Sequence, residues 1–192
     1  AENLRVVREV IVALDRWEIP YALGGSMASS VLGIPRFTQD ADITVEPFAG
    51  KEPAFVASFG SEYYVSLPAA QEANRRRTTF NILNTAVGFK VDIFVRKDRP
   101  FETSVMRRRL KLSLPEFPDQ PLMIVSPEDI LLLKLEWFRL GDEMSDRQWS
   151  DILGVLKVQD ERLDDAYLEL WAENLRIADL LRRARNEAKG LL

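Results

Sequence analysis

The chain has 192 residues, 26 basic and 30 acidic, giving a net charge of −4, and it contains neither cysteine nor histidine. This length suits one good-sized domain, or a domain with a small appendage, and the acidic balance excludes a strongly basic protein that coats nucleic acid. Without Cys or His, disulfides, thiolate metal sites, histidine bases and cysteine nucleophiles are excluded; carboxylates, Lys, Ser, Thr and Tyr remain, and any metal should be hard and oxygen-seeking, such as Mg or Mn.

Apolar positions at Val6, Val7, Val10, Ile11, Leu14 and Trp17 predict a helix over about 2–18 with one buried stripe. Ile19-Pro20 ends it, and Tyr21-Ala22-Leu23 reads as a short strand running into Gly24-Gly25-Ser26. A helix rich in small residues follows, to about Gly33. Strand, Gly-Gly-Ser, helix suits a phosphate, because glycine admits close approach and the free amides of a helix start attract anions. The same residues also read simply as a tight turn with Ser26 as N-cap.

The next strand is Asp40-Ala41-Asp42-Ile43-Thr44-Val45. Aspartate is a poor strand former, yet period-2 alternation puts Asp40, Asp42 and Thr44 on one face and Ala41, Ile43 and Val45 on the other. Two neighbouring carboxylates repel, and a divalent metal is the economical cation to place between them. A helix over about 52–59, a short strand over 63–67 and a helix or loop over 69–77 come next. Strands over 78–84 and 87–95 form a predicted hairpin. In the second, Phe89, Val91, Ile93 and Val95 share one face and Lys90, Asp92 and Phe94 the other. If both aspartate-bearing strands lie in one sheet, three carboxylates converge on its open side; otherwise the two faces are merely solvated.

Residues 97–114 are basic, with a strand expected over 107–114 and another over 122–125 after Pro115, Pro118 and Pro121. Arg75-Arg76-Arg77 and Arg107-Arg108-Arg109 read as solvated surface or as a patch for triphosphate or RNA. Ser126-Pro127-Glu128-Asp129 is a helix start, carrying a hydroxyl cap, an early proline and acids at the positive end of the dipole. That helix runs to about Leu140. Lys134 lies inside its apolar run, either snorkelling to solvent or aimed at an anion. Ser145 caps a further helix to about Val158, where Arg147 and Asp151, four apart, read as a surface ion pair. Helices over 164–174 and 177–188 complete the chain. No apolar run reaches spanning length and no basic-then-apolar segment opens the chain, so neither a membrane span nor a secretory signal is expected, and a cytoplasmic location is.

Gly24-Gly25-Ser26, then Asp40-Ala41-Asp42, then Val91-Asp92-Ile93 in that order resembles the DNA polymerase beta-like nucleotidyltransferase superfamily. The context Arg36-Phe37-Thr38-Gln39-Asp40-Ala41-Asp42, with Lys134 and Arg147…Asp151-Ile152, looks most like the AbiEii-type nucleotidyltransferase toxins and the minimal nucleotidyltransferases, and it also looks like the lincosamide and aminoglycoside nucleotidyltransferases. The resemblance covers residues 1 to about 125. It implies an α+β (α/β) fold, with a nucleotidyltransferase-type mixed sheet and helices packed on one face over 1–125, then a helical C-terminal subdomain over 126–192. It also implies metal-dependent transfer of NMP from an NTP to an acceptor hydroxyl of tRNA, protein or a small molecule, in a possible toxin with a cognate antitoxin. Asp40, Asp42 and Asp92 would be the catalytic residues and the ligands of two Mg or Mn ions. Gly25 and Ser26 would hold the β- and γ-phosphates, with Lys134 and Arg36 as further phosphate contacts. The alternative is a catalytically silent nucleotide- or partner-binding regulatory module.

Overall fold

The apolar periodicities of the sequence become real faces in the computed structural model, which describes residues 2–115 and 117–190. The elements run α1 (Glu2–Arg16), β1 (Tyr21–Gly24), α2 (Gly25–Leu32), β2 (Asp40–Val45), α3 (Glu52–Ala57), β3 (Tyr63–Val65), α4 (Leu67–Arg76), β4 (Thr79–Asn84) and β5 (Phe89–Val95). Then come α5 (Pro100–Arg107), β6 (Leu110–Leu114), β7 (Phe117–Ile124), α6 (Pro127–Leu140), α7 (Asp146–Gln159), α8 (Asp165–Asn174) and α9 (Ala178–Ala188). The chain forms two compact units. The first takes the segment up to Gly24 and Thr38–Ile124; the second takes Gly25–Phe37 and the chain from Val125 onward.

The first unit is built on a mixed sheet in the order β3-β4-β5-β2-β1-β7-β6. β2 lies antiparallel to β1 and parallel to β5. Ala41, Ile43 and Val45 on β2, and Phe89, Val91, Ile93 and Val95 on β5, are all buried, while the alternate residues of both strands are half-exposed. The stripe of α1, from Val6 to Leu14, is likewise buried. Burial of this size is the main favourable contribution to folding, at about 25 cal/mol per Å² of apolar surface.

One alternative in the sequence expectation is resolved, and two local features differ from it. The segment that reads as helix or loop is the helix α4, capped by Ser66, whose Oγ accepts from the Ala69 N–H at 3.3 Å. Residues 100–107, which the strand expected over 107–114 overlapped at Arg107, form the helix α5, whose signals are Pro100 in its first turn, Glu102 near its positive end, and a buried Phe101-Ser104-Val105 stripe. The last strand begins at Phe117 rather than near Leu122, because a register irregularity opposite Leu112–Leu114 lets β7 pass Pro118 and Pro121 while pairing with β6.

In the second unit, α6 starts as its sequence predicts. The Ser126 hydroxyl accepts from the Asp129 N–H at 3.1 Å and donates to the Asp129 carboxylate at 2.9 Å. The other oxygen of buried Asp129 accepts from the Tyr167 hydroxyl at 2.6 Å, which ties α8 to the start of α6. α7 packs on α2, α6 and α9. The closest approach is at Gly33, just past α2, where an added Cβ would lie 2.8 Å from the Ser29 carbonyl oxygen and from the Val155 nitrogen. Both obstacles are backbone, so neither yields as a flexible side chain would. No described helix is long and apolar enough to cross a membrane.

Gly33→Ala is therefore expected to destabilise the protein by about 1–3 kcal/mol through overpacking. Thermal melts of parent and variant check this; an unchanged midpoint would show that the backbones of Gly33 and Val155 can separate freely.

Candidate functional site

In the first unit, the parallel pairing of β2 with β5 sets Asp42 beside Asp92 and Asp40 beside Lys90. All four residues are half-exposed and share the sheet face opposite the core. The convergence expected from strand alternation is thus present: carboxylates from strands fifty residues apart in sequence lie in adjacent rows. Asp42 also registers with Gly24 on β1, and Asp92 with Asn81 on β4.

This face carries one cation that the sequence reading left unused. The Lys90 ammonium pairs with Asp92 at 2.7 Å. It is held above the ordinary lysine range, first by that hydrogen bond and then by the charges of Asp92, Asp40 and Asp42, against a lowering from partial burial. All three carboxylates therefore act on a single positive group. Its signal in the sequence was its place two residues before Asp92 on the same strand face. Among the described residues, no three acidic side chains are gathered into a ready-made metal cage.

In the second unit, a different cluster forms around Asp151 on α7. The Arg36 guanidinium grips this carboxylate with two hydrogen bonds, Nε to Oδ1 at 2.6 Å and Nη2 to Oδ2 at 2.8 Å. Lys134 on α6 donates to Oδ2 at 2.9 Å. Arg36 Nη2 also donates to the Ser26 hydroxyl on α2 at 2.6 Å. Arg36 and Lys134, two residues singled out as phosphate contacts, are thus joined by one carboxylate, and a third, Ser26, is joined to Arg36. Gly25 opens α2 with φ of +57°, a conformation that favours glycine.

Two sequence readings are corrected here. Lys134 does not snorkel; its side chain is 9% exposed and ends on Asp151. Asp151 is no surface partner of Arg147 but is itself buried, paired with Arg36 and Lys134. Burial alone would raise the Asp151 pKa; hydrogen bonds and charge from Arg36 and Lys134 outweigh it and hold the carboxyl below the usual range. The arginine triplets are largely engaged internally. Arg75 and Arg76 pair with Glu72, Arg77 donates to the Arg96 carbonyl, and Arg109 donates to the Met106 and Tyr21 carbonyls.

No protein-family profile matches the chain, and no curated protein sequence does. Solved structures do. The chain resembles ANT(2")-Ia in complex with adenylyl-2"-tobramycin, at 16% identity and a TM-score of 0.57, with 92% of this chain and 98% of that one covered. A solution structure of the antibiotic-resistance factor ANT(2'')-Ia aligns at 13% identity and a TM-score of 0.51, over 97% of this chain and 95% of that one. An antigenic nucleotidyltransferase-like protein from Paracoccidioides brasiliensis aligns at 18% identity and a TM-score of 0.56, over 97% and 93%. The fold is that of the nucleotidyltransferases.

Removing the shared carboxylate leaves two cations without their partner, so Asp151→Ala should destabilise by about 3 kcal/mol. Because the folded Asp151 pKa is depressed, its contribution is full above the unfolded value of about 3.9 and is lost as pH falls through the folded one. Thermal melts of the parent and Asp151→Asn across acid pH should therefore converge below about pH 4; a constant gap would show that the carboxylate charge is not what stabilises the cluster.

Proposed function

We propose that this protein is a metal-dependent nucleotidyltransferase that moves a nucleoside monophosphate from an NTP to an acceptor hydroxyl. The observation that carries the proposal is the in-register pairing of Asp42 with Asp92, with Asp40 on the same face, in a sheet of nucleotidyltransferase fold. The donor set fits Mg or Mn: it consists of hard carboxylate oxygens, and a positive group, Lys90, already stands among them. Asp40 and Asp42 would hold two such ions, and Asp92 would serve the second. Bound there, the ions would supply Lewis acidity to the transferring phosphoryl group and make the acceptor hydroxyl more acidic.

The protein's own groups account for the remaining steps. Asp92 accepts the proton of the acceptor hydroxyl as its oxygen bonds to the α-phosphorus. The bond from that phosphorus to the α,β-bridging oxygen breaks, and pyrophosphate leaves with the electron pair. Gly25 and Ser26 present a helix-start backbone and a hydroxyl to the β- and γ-phosphates. Arg36 and Lys134 offset the triphosphate charge, with Asp151 holding both in place. A small-molecule acceptor is favoured over tRNA, since most of the triplet arginines are engaged within the first unit, and a protein acceptor belongs to the same chemistry. The adenylylated tobramycin bound to ANT(2")-Ia supports this reading. A toxin role with a cognate antitoxin would be one consequence of the same transfer.

The Lys90–Asp92 pair favours a second reading, a catalytically silent nucleotide- or partner-binding module. The two are separated by incubation with labelled NTPs, Mg or Mn, and panels of small alcohols, aminoglycosides, proteins and tRNA. Acceptor labelling is expected, and Asp42→Asn should reduce it by roughly 10²-fold or more while leaving the fold intact; any toxicity on expression should vanish with it. Calorimetric nucleotide binding that needs no metal, with no acceptor labelled by the parent protein, would establish the silent module instead.

A further inference from the structure

We infer that Lys90 is a displaceable counterion that lowers the affinity of the carboxylate face for divalent metal. The inference rests on the metal-dependent reading above but concerns a residue to which that reading gives no part. Three carboxylates and one ammonium share the face formed by β2 and β5. The ammonium is attached to Asp92, the carboxylate proposed to serve the second ion, at 2.7 Å. A divalent ion that takes Asp92 Oδ2 displaces the ammonium from it, and one that takes Oδ1 meets the repulsion of the ammonium beside it.

The two partners differ in freedom. The Lys90 side chain is 43% exposed and that of Asp92 16%. Lysine carries a compact charge on a four-carbon stem, which can swing to water without moving β5. Asp92 is short, and its position is set by the pairing of β5 with β2 on one side and β4 on the other. Displacement therefore moves the lysine and leaves the carboxylate in place. Until metal arrives, Lys90 offsets part of the mutual repulsion of the carboxylates. Once metal is bound, Lys90 repels it. Weak binding of the free ion follows, so that a metal already carried by a triphosphate is the favoured form in which it enters.

The test is Mn²⁺ binding to the intact, nucleotide-free protein, read from the loss of the free-ion EPR signal. Lys90→Gln removes the charge and keeps the length; Lys90→Arg keeps the charge. Lys90→Gln is expected to bind Mn²⁺ roughly fivefold more tightly than the parent, in line with the loss of a half-exposed ion pair and of its repulsion. Lys90→Arg should stay near the parent. Equal or weaker binding by Lys90→Gln would overturn the inference and leave the transferase reading untouched. Binding by neither parent nor Lys90→Gln, with a non-hydrolysable NTP absent or present, would overturn both. Thermal melts of each variant confirm that the compared proteins are folded.

Discussion

The parallel register of β2 against β5 is the constraint on which the carboxylate face of the first unit rests. A one-residue slip in either strand would carry its aspartates to the core side and its valines and isoleucines to water. Ala41, Ile43, Val45, Val91, Ile93 and Val95 are buried to within a few per cent, so such a slip would forfeit a large part of the apolar burial. The core thus fixes the carboxylate face indirectly. Asp42 stands beside Asp92 because Ile43 stands beside Ile93, and the aspartates need contribute nothing to stability to be held where they are.

The two clusters differ in the balance of their charged groups. On the sheet, three carboxylates outnumber one lysine. Around α7, two cations share one buried carboxylate. The first is partly open to water, with the Lys90 side chain 43% exposed; the second is more withdrawn, with Lys134 and Asp151 at 9% and 5%. A cation complements the first and a polyphosphate complements the second.

Much of the fold was legible because periodicity and capping act locally. The stripe of α1, the alternation of β2 and β5, and the cap at Ser126 each depend on residues within one or two turns of one another. α5 shows the limit of that logic. Its signals, Pro100 and the Phe101-Ser104-Val105 spacing, cover only two turns and run straight into the Leu110-Leu112-Leu114 alternation, which reads as strand. β7 shows another limit, since Pro118 and Pro121 discourage a strand unless an irregularity opposite them absorbs the missing donors.

The site was legible in proportion to how local its geometry is. Same-face aspartates follow from the two-residue period, and so in principle did Lys90, which sits one strand repeat before Asp92. Asp151 did not follow, because its nearest cation in sequence is Arg147 on the same helix. Its actual partners lie 115 and 17 residues away. A buried carboxylate selects partners by desolvation rather than by sequence distance. Arg147 stays exposed on the helix surface, where pairing would gain a few tenths of a kcal/mol. An unpaired carboxylate at the buried position would be far more unfavourable, so the fold must deliver cations to Asp151 from other segments. Arg36 and Lys134 meet that demand, and Arg36 in doing so reaches the Ser26 hydroxyl on α2, in the helix start that the Gly-Gly-Ser turn marks in the sequence.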